Sequence, residues 1–148
     1  MDYVIVLDSC GERTEEMKRD ERIIPAPLTM QVDDHLFTDD ESFDQADFLK
    51  KIAASPNCPK SACPSPDYYK EAFGKAQERA YAVTLSAELS GSYNSAMLAK
   101  DLISEEKPEI KVHVFNSRSA SVGETLIAQK IRECEDAGMV FEQVVETV

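Results

Sequence analysis

The chain has 148 residues, of which 43% are hydrophobic and 30% are charged, and this composition excludes the disordered and fibrous classes. Its length is that of one ordinary domain, so we predict a single domain over residues 1–148. The formal net charge of −12 argues against nucleic-acid binding, because that affinity depends on Lys and Arg side chains that displace counterions.

The apolar runs and the cysteines exclude two further classes. No apolar run approaches the length of a membrane span, and the N-terminus lacks the basic start of a secretion signal. The four cysteines form no C-x-x-C pair, so we expect reduced thiols and no metal site. These features predict a cytoplasmic protein that is not embedded in a membrane.

The first half of the chain contains two predicted strands and a helix. The apolar run Tyr3–Leu7 predicts a strand buried on both faces, and Ile23–Val32, which contains two prolines, predicts an edge strand. Residues 33–47 are rich in acids, which we interpret as a solvated face rather than a calcium site. A capping box at Ser42–Gln45 predicts a helix that ends before Pro56.

Strand and helix patterns alternate in the second half. Ser65–Asp67 is typical of a helix start, with Ser at the N-cap and Pro in the first turn. Ala82–Ser86 and Ile110–Phe115 predict two strands, each followed by a helix, and Ser121 and Glu124 would cap the second of these helices reciprocally. This alternation implies a mostly parallel sheet, so we predict an α/β fold with three αβα layers.

Small hydroxyl residues follow the predicted strands, at the sheet edge where α/β proteins bind ligands. Hydroxyls beside helix N-termini suit a carboxylate or phosphate oxygen, but they supply no general acid or base. Any one of these serines is more typical of a helix cap, but their recurrence at several strand ends favours binding. Gly91 lies between a strand and a helix, where a backbone can approach a ligand closely. The residues at these strand ends are Asp8, Ser9, Ser90, Gly91, Ser92 and Ser119.

Catalytic interpretations have less support. No glycine-rich phosphate loop occurs, and His35 and His113 lie in contexts more typical of solvated or structural residues. Asp8 after a buried strand invites comparison with aspartyl-phosphate phosphatases, but the second acid expected two residues later is Cys10. The alternatives are a hydrolase or phosphatase that uses Asp8 or a loop serine, and an inactive isolated interaction domain.

Five motifs, in one order and over the whole chain, resemble the DegV family of bacterial fatty-acid-binding proteins. The motifs are Asp8-Ser9, Pro25-x-Pro27-Leu28-Thr29, Pro59–Pro66, Leu89–Ala96 and Asn116–Ser121. The resemblance implies the N-terminal domain of the DegV fold, with the family's second domain absent.

The resemblance also implies a function. In that family a long-chain fatty acid lies between two domains, and hydroxyls of the first domain hold part of its carboxylate. The motifs place these hydroxyls at Ser61 and Ser90, with Gly91 as backbone neighbour. The strand-end residues Asp8, Ser9, Ser92 and Ser119 are the candidates for further lining. The protein would be a lipid-binding carrier without cofactor or catalysis. It would present its fatty acid to a separate ATP-dependent fatty acid kinase for acyl phosphate and phospholipid synthesis.

Two positions depart from the family motifs. The family pattern T-S-Q reads Ser61-Ala62-Cys63 here, which keeps the first hydroxyl and lacks the second. Asn116 stands where the family usually has Asp. Ser61 preserves the hydrogen-bond donor, so we retain it as a ligand-binding residue.

Overall fold

The computed structural model describes residues 1–148, which form seven strands and six helices. The strands are β1 (Tyr3–Asp8), β2 (Ile23–Ala26), β3 (Thr29–Val32), β4 (His35–Thr38), β5 (Lys60–Ala62), β6 (Arg79–Thr84) and β7 (Lys111–Asn116). The helices are α1 (Glu15–Arg19), α2 (Gln45–Ala54), α3 (Pro66–Phe73), α4 (Ser92–Glu106), α5 (Val122–Asp136) and α6 (Phe141–Thr147). None of these helices combines the length and the apolar character needed to cross a membrane.

Four parallel strands form the main sheet, in the order β2-β1-β6-β7. Its central strand β1 is buried along its whole length. Val4 and Val6 point into the core under α3 and α4, whereas Ile5 and Leu7 point into the core under α1, α5 and α6. Helices therefore cover both faces of a parallel sheet, and the predicted α/β class is confirmed.

The predicted edge position of Ile23–Val32 is confirmed for its first half, since β2 is an edge strand of the main sheet, but the prediction of one continuous stretch is wrong, because the segment forms two strands in two different sheets. β2 pairs with β1, whereas β3 turns into a separate antiparallel sheet of order β4-β3-β5. Pro27 lies between the two strands and has no N–H to donate. The next residue, Leu28, donates its backbone N–H to Ser9 Oγ at 3.0 Å, so the tip of β1 holds the turn between the sheets.

The capping prediction at Ser42–Gln45 is also wrong. Asp44 is the N-cap of α2 and accepts a hydrogen bond from Asp47 N, whereas Ser42 Oγ donates to Asp40 at 2.6 Å. A carboxylate is as good an N-cap as a hydroxyl, and it lies one residue from the helix. For α3 the prediction is confirmed, since Ser65 Oγ accepts from Tyr68 N at 3.2 Å.

The small antiparallel sheet has much less core than the main sheet. Helix α2, which packs on it, buries no residue, and β5 is exposed along its length. Its apolar contacts come from half-buried Phe37, Phe43 and Phe48, whose rings meet edge to face at centroid distances of 5.1 to 6.3 Å. This sheet places β5 beside the start of α4.

Candidate functional site

The carboxyl ends of β1, β6 and β7 meet at one edge of the main sheet, where the predicted site residues lie. Asp8 ends β1, Ser90 and Gly91 precede α4, and Ser119 lies between β7 and α5. A backbone hydrogen bond from Ser86 N to Ser119 O, 2.9 Å long, joins two of these segments. In a parallel sheet all strands end on the same side, so residues distant in sequence become neighbours.

Two of the predicted serines form a hydroxyl pair at the start of α4. The Oγ atoms of Ser90 and Ser92 are 3.2 Å apart, and Ser92 N donates to Ser90 Oγ at 3.2 Å. Ser90 is half-buried, and Ser92 is fully buried. Ser90 is thus the member of the pair that a ligand can reach, and the buried Ser92 holds its hydroxyl in place by hydrogen bonding.

Gly91 allows the segment after β5 to approach α4 closely. Its backbone is right-handed, with φ of −74°, so no conformational demand requires glycine here. A Cβ at this position would lie 3.2 Å from Cys63 Sγ, which is tighter than an ordinary contact. The glycine therefore serves a close approach between two segments of the protein.

Ser61 lies in the middle of β5, exposed and paired with Met30 of β3. Two residues later, Cys63 Sγ lies 3.6 Å from Ser95 Oγ in the first turn of α4. Because two extended residues span at most about 7 Å, Ser61 is held near the start of that helix. The structure thus brings the β5 segment with Ser61 and the segment with Ser90 to the same edge.

The hydroxyls of Ser9 and Ser119 are engaged within the protein. Ser9 Oγ accepts the Leu28 N–H described above, which is a structural role. Ser119 Oγ donates to Ala120 O at 3.4 Å and lies against Gly123, where a Cβ would collide with it. The Ser90 hydroxyl likewise has partners within the protein, in the pair with Ser92, whereas the exposed Ser61 is the predicted serine whose hydroxyl forms no hydrogen bond.

Asp8 is fully buried, and both of its oxygens accept backbone hydrogen bonds. Cys10 N donates to Oδ1 at 3.1 Å, and Leu85 N donates to Oδ2 at 2.8 Å. Burial raises the pKa of this carboxyl, and the two N–H donors oppose that effect. The carboxylate therefore ties the tip of β1 to the segment after β6 and has no open approach for a substrate.

Glu124, in the first turn of α5, is a site residue that the sequence analysis did not identify. The predicted reciprocal capping with Ser121 is wrong: Ser121 Oγ donates to Glu12 Oε1 at 2.9 Å, and Ser121 has φ of 57°. Glu124 turns inward instead, and its exposed fraction is 0%. Its position three residues after the helix N-cap was the available signal, but it predicted a cap rather than a buried acid.

Glu124 lies beside Asp8 beneath the edge of the sheet. One carboxyl oxygen of each residue and Cys10 Sγ lie within 4.8 Å of one another. No N–H or O–H group of the protein donates to either oxygen of Glu124. Burial, with the nearby charge of Asp8 as the second cause, raises the pKa of Glu124 to about 9.

Comparison with known sequences places the chain among DegV proteins. Residues 2–148 match the family described as "Uncharacterised protein, DegV family". A DegV domain-containing protein of Streptococcus pneumoniae is 42% identical over 125 residues, which are 84% of this chain and 44% of that protein. A DegV domain-containing protein of Streptococcus gordonii is 37% identical over an alignment of 150 positions, which covers 100% of this chain and 53% of that protein.

Solved structures show the same similarity. A DegV family protein from Ruminococcus gnavus, refined with vaccenic acid, is 56% identical with a TM-score of 0.94, over 99% of this chain and 53% of that one. The Streptococcus pneumoniae Fatty Acid Kinase (Fak) B3 protein, loaded with linoleic acid, is 38% identical with a TM-score of 0.86, over the same shares. The chain thus spans about half the length of the relatives it matches.

Proposed function

Because this chain belongs to the DegV family, we propose that it is the α/β half of a fatty-acid carrier and holds the fatty-acid carboxylate with hydroxyls of its sheet edge. The observation that carries the proposal is the Ser90–Ser92 pair at the N-terminus of α4, with the β5 segment of Ser61 beside it. Helix N-termini favour negative charge, and hydroxyls donate to it without reacting.

Exposed apolar side chains occur near the starts of α4 and α5, and a fatty-acid tail requires apolar surface of this kind. Leu89 precedes Ser90 and is 71% exposed, while Val122 and Leu126 at the start of α5 are 62% and 59% exposed. Each buried CH₂ of a fatty-acid tail contributes about 0.8 kcal/mol. The second half found in the longer relatives would supply the opposite wall of the tail slot.

The role we assign is carriage rather than catalysis. The alternative of a nucleophilic Asp8 has little support, since that carboxylate is buried and both of its oxygens accept backbone N–H groups. The similarity to the Fak B3 protein supports a separate fatty acid kinase as the partner, which would use the presented fatty acid for acyl phosphate and phospholipid synthesis. The four free thiols suit a reducing compartment, so we place this exchange in the cytoplasm.

The test joins this chain to the second half of the R. gnavus relative and measures the retained fatty acid by native mass spectrometry after bacterial expression. We expect a retained lipid in the parent and its loss in the double variant Ser61→Ala/Ser90→Ala. A hydrogen bond to a charged group contributes about 1.5–3 kcal/mol, so each hydroxyl should be worth about tenfold or more in affinity.

Two matched variants control this experiment. Ser104→Ala removes a hydroxyl at the far end of α4, where it donates to Lys100 O, and should leave the lipid bound. Ser61→Thr keeps a hydroxyl at the position and should also retain it. Full lipid occupancy in a folded Ser61→Ala/Ser90→Ala protein would refute the assignment of these hydroxyls.

A further inference from the structure

The acids Asp8 and Glu124 form a buried pair beneath the proposed carboxylate site. Both side chains are fully buried, and no ion pair of the chain includes either of them. Two adjacent buried carboxylates without a cation would repel each other strongly, so such pairs hold a proton or a metal ion.

The hydrogen bonds identify which acid carries the charge. Asp8 accepts an N–H on each oxygen, from Cys10 and from Leu85, as a carboxylate does. Glu124 accepts no hydrogen bond, so a proton on this residue removes an uncompensated charge and lets Glu124 donate a further hydrogen bond to Asp8. The raised pKa of Glu124, caused first by burial and then by the charge of Asp8, agrees with this assignment.

The pair is connected to the hydroxyls through the segment that follows β6. Asp8 holds Leu85 N, and one residue later Ser86 O accepts the backbone N–H groups of Leu89 and Ser90. The Ser92 hydroxyl lies close enough to Asp8 to lower its pKa. The position of Ser90 therefore depends on where the Asp8 carboxylate lies, and that carboxylate faces Glu124.

We propose that Asp8 and Glu124 share one proton, carried by Glu124, and that this acid pair is the positioning element for the segment that presents Ser90 to the ligand. The inference rests on the proposed function for its ligand, but the shared proton can be tested without any ligand. Glu124 is a positioning residue in this scheme, since it acts through Asp8 and does not touch the fatty acid.

The other groups that face the pair are polar but uncharged at neutral pH. From the segment after β1, the Cys10 thiol has its pKa raised, first by burial. From α3, Tyr69 also has its pKa raised by burial, and its hydroxyl has no hydrogen-bond partner. The Cys10 thiol and, from the N-cap of α5, the backbone N–H of Ser121 are near enough to lower the pKa of Glu124, although neither forms a hydrogen bond with its carboxyl oxygens. Nothing here supplies a positive charge that would replace the proton.

The first experiment detects the proton directly, in the 148-residue chain without ligand. Infrared difference spectra between the parent and Glu124→Gln, recorded from pH 5 upward, should show the C=O stretch of a buried carboxylic acid at neutral pH. This band should disappear as Glu124 titrates, with a midpoint near its raised pKa of about 9. A carboxylate band for Glu124 at neutral pH would overturn the proposal.

The second experiment tests whether the acid pair positions Ser90. It uses the fusion of this chain with the second half of the R. gnavus relative, which we expect to retain fatty acid. Gln keeps an N–H donor toward Asp8, whereas Leu, of similar size, has none. Glu124→Leu should therefore weaken fatty-acid binding about tenfold, and Glu124→Gln should bind fatty acid as the parent does. Binding to the parent should weaken as pH rises toward 9, while Glu124→Gln should show a flat profile over the same range. A merely structural role would affect folding and leave this pH profile unchanged.

The outcomes separate this proposal from the proposed function. An infrared acid band without fatty-acid binding would refute the carrier function and the positioning of Ser90, but keep the shared proton. Fatty-acid binding with equal affinities in Leu and Gln variants would refute positioning alone. A stoichiometric divalent metal ion found by elemental analysis, and lost in Glu124→Gln, would replace the proton with a cation and overturn the proposal.

Discussion

Helix α5 carries a buried glutamate near each end, and the two have opposite surroundings. Glu135, in the last turn, is 8% exposed, accepts the Tyr81 hydroxyl at 2.6 Å and forms an ion pair with Arg79 at 3.0 Å. Glu124, in the first turn, is 0% exposed and accepts no hydrogen bond. The same side chain on the same helix is thus fully partnered at one end and unpartnered at the other.

The two ends of α5 lie at opposite edges of the main sheet, one with a stabilising role and one with a proposed ligand site. Glu135, Tyr81 and Arg79, the Glu135 network, lie at the edge where the strands begin, and they hold α5 to the start of β6. The buried groups without partners are Glu124, Thr84 at the end of β6, and Tyr69, which is close enough to Asp8 to be influenced by its charge. Unpartnered buried groups are rare in proteins and are expected at functional sites. The fold therefore leaves polar groups unpartnered at the edge where we propose the ligand binds.

The largest expected effect is at the partnered end. Glu135→Ala removes the acceptor of the Tyr81 hydroxyl and the partner of Arg79, so the free energy of unfolding should fall by about 3 kcal/mol in urea denaturation. Tyr81→Phe should cost less, about 2 kcal/mol, because it removes one hydrogen bond to the carboxylate and leaves the ion pair.

The matched control for this prediction is on the same helix. Glu133→Ala removes an exposed acid that pairs with Lys130 at 3.3 Å, and it should change stability by less than about 0.5 kcal/mol. If Glu135→Ala were as mild as Glu133→Ala, the network at the amino-terminal edge would not stabilise the fold, and the contrast between the two ends would fail.

The next effect is a pH dependence that belongs to the unpartnered end. The pKa of Glu124 is raised in the folded protein from 4.5 to about 9, so the stability it contributes is complete below 4.5 and is lost as pH rises toward 9. The loss is at most about 1.4 kcal/mol per pH unit. Urea denaturation at about pH 6, 7 and 8 should show this decline in the parent and a flatter profile in Glu124→Gln. Equal slopes in both proteins would contradict the raised pKa.

Much of the fold was predictable because its signals are local. The run Tyr3–Leu7 is continuously apolar because helices cover both faces of β1, and Ser65-Pro66 marks the start of α3 through capping chemistry alone. The motif order predicted the DegV family, and the match over residues 2–148 confirms it. The division of Ile23–Val32 between two sheets was missed because both halves are extended, and only tertiary pairing separates them.

The candidate site was predicted where it depends on strand ends and missed where it depends on side-chain direction. Ser90 and Gly91 follow a strand, and any parallel sheet would bring them to its carboxyl edge. Glu124 occupies a position where a glutamate normally turns back to cap its own helix. Its inward turn accompanies the left-handed backbone of Ser121 and the contact of Ser121 with Glu12, which no local pattern encodes.

The smallest expected effect concerns that backbone. Ser121 has φ of 57° and ψ of −125°, a conformation that glycine adopts readily and that costs other residues about 1–3 kcal/mol. Ser121→Gly loses a half-exposed hydrogen bond to Glu12 but relieves this strain, so we expect stabilisation by about 1 kcal/mol, measured as a higher midpoint in urea. Ser121→Ala is the control, because it loses the same hydrogen bond and keeps the strain. Higher stability in Ser121→Gly alone would show that the backbone at the start of α5, beside Glu124, is strained. Equal losses of stability in both variants would show that the hydrogen bond from Ser121 to Glu12 contributes more than relief of the strain.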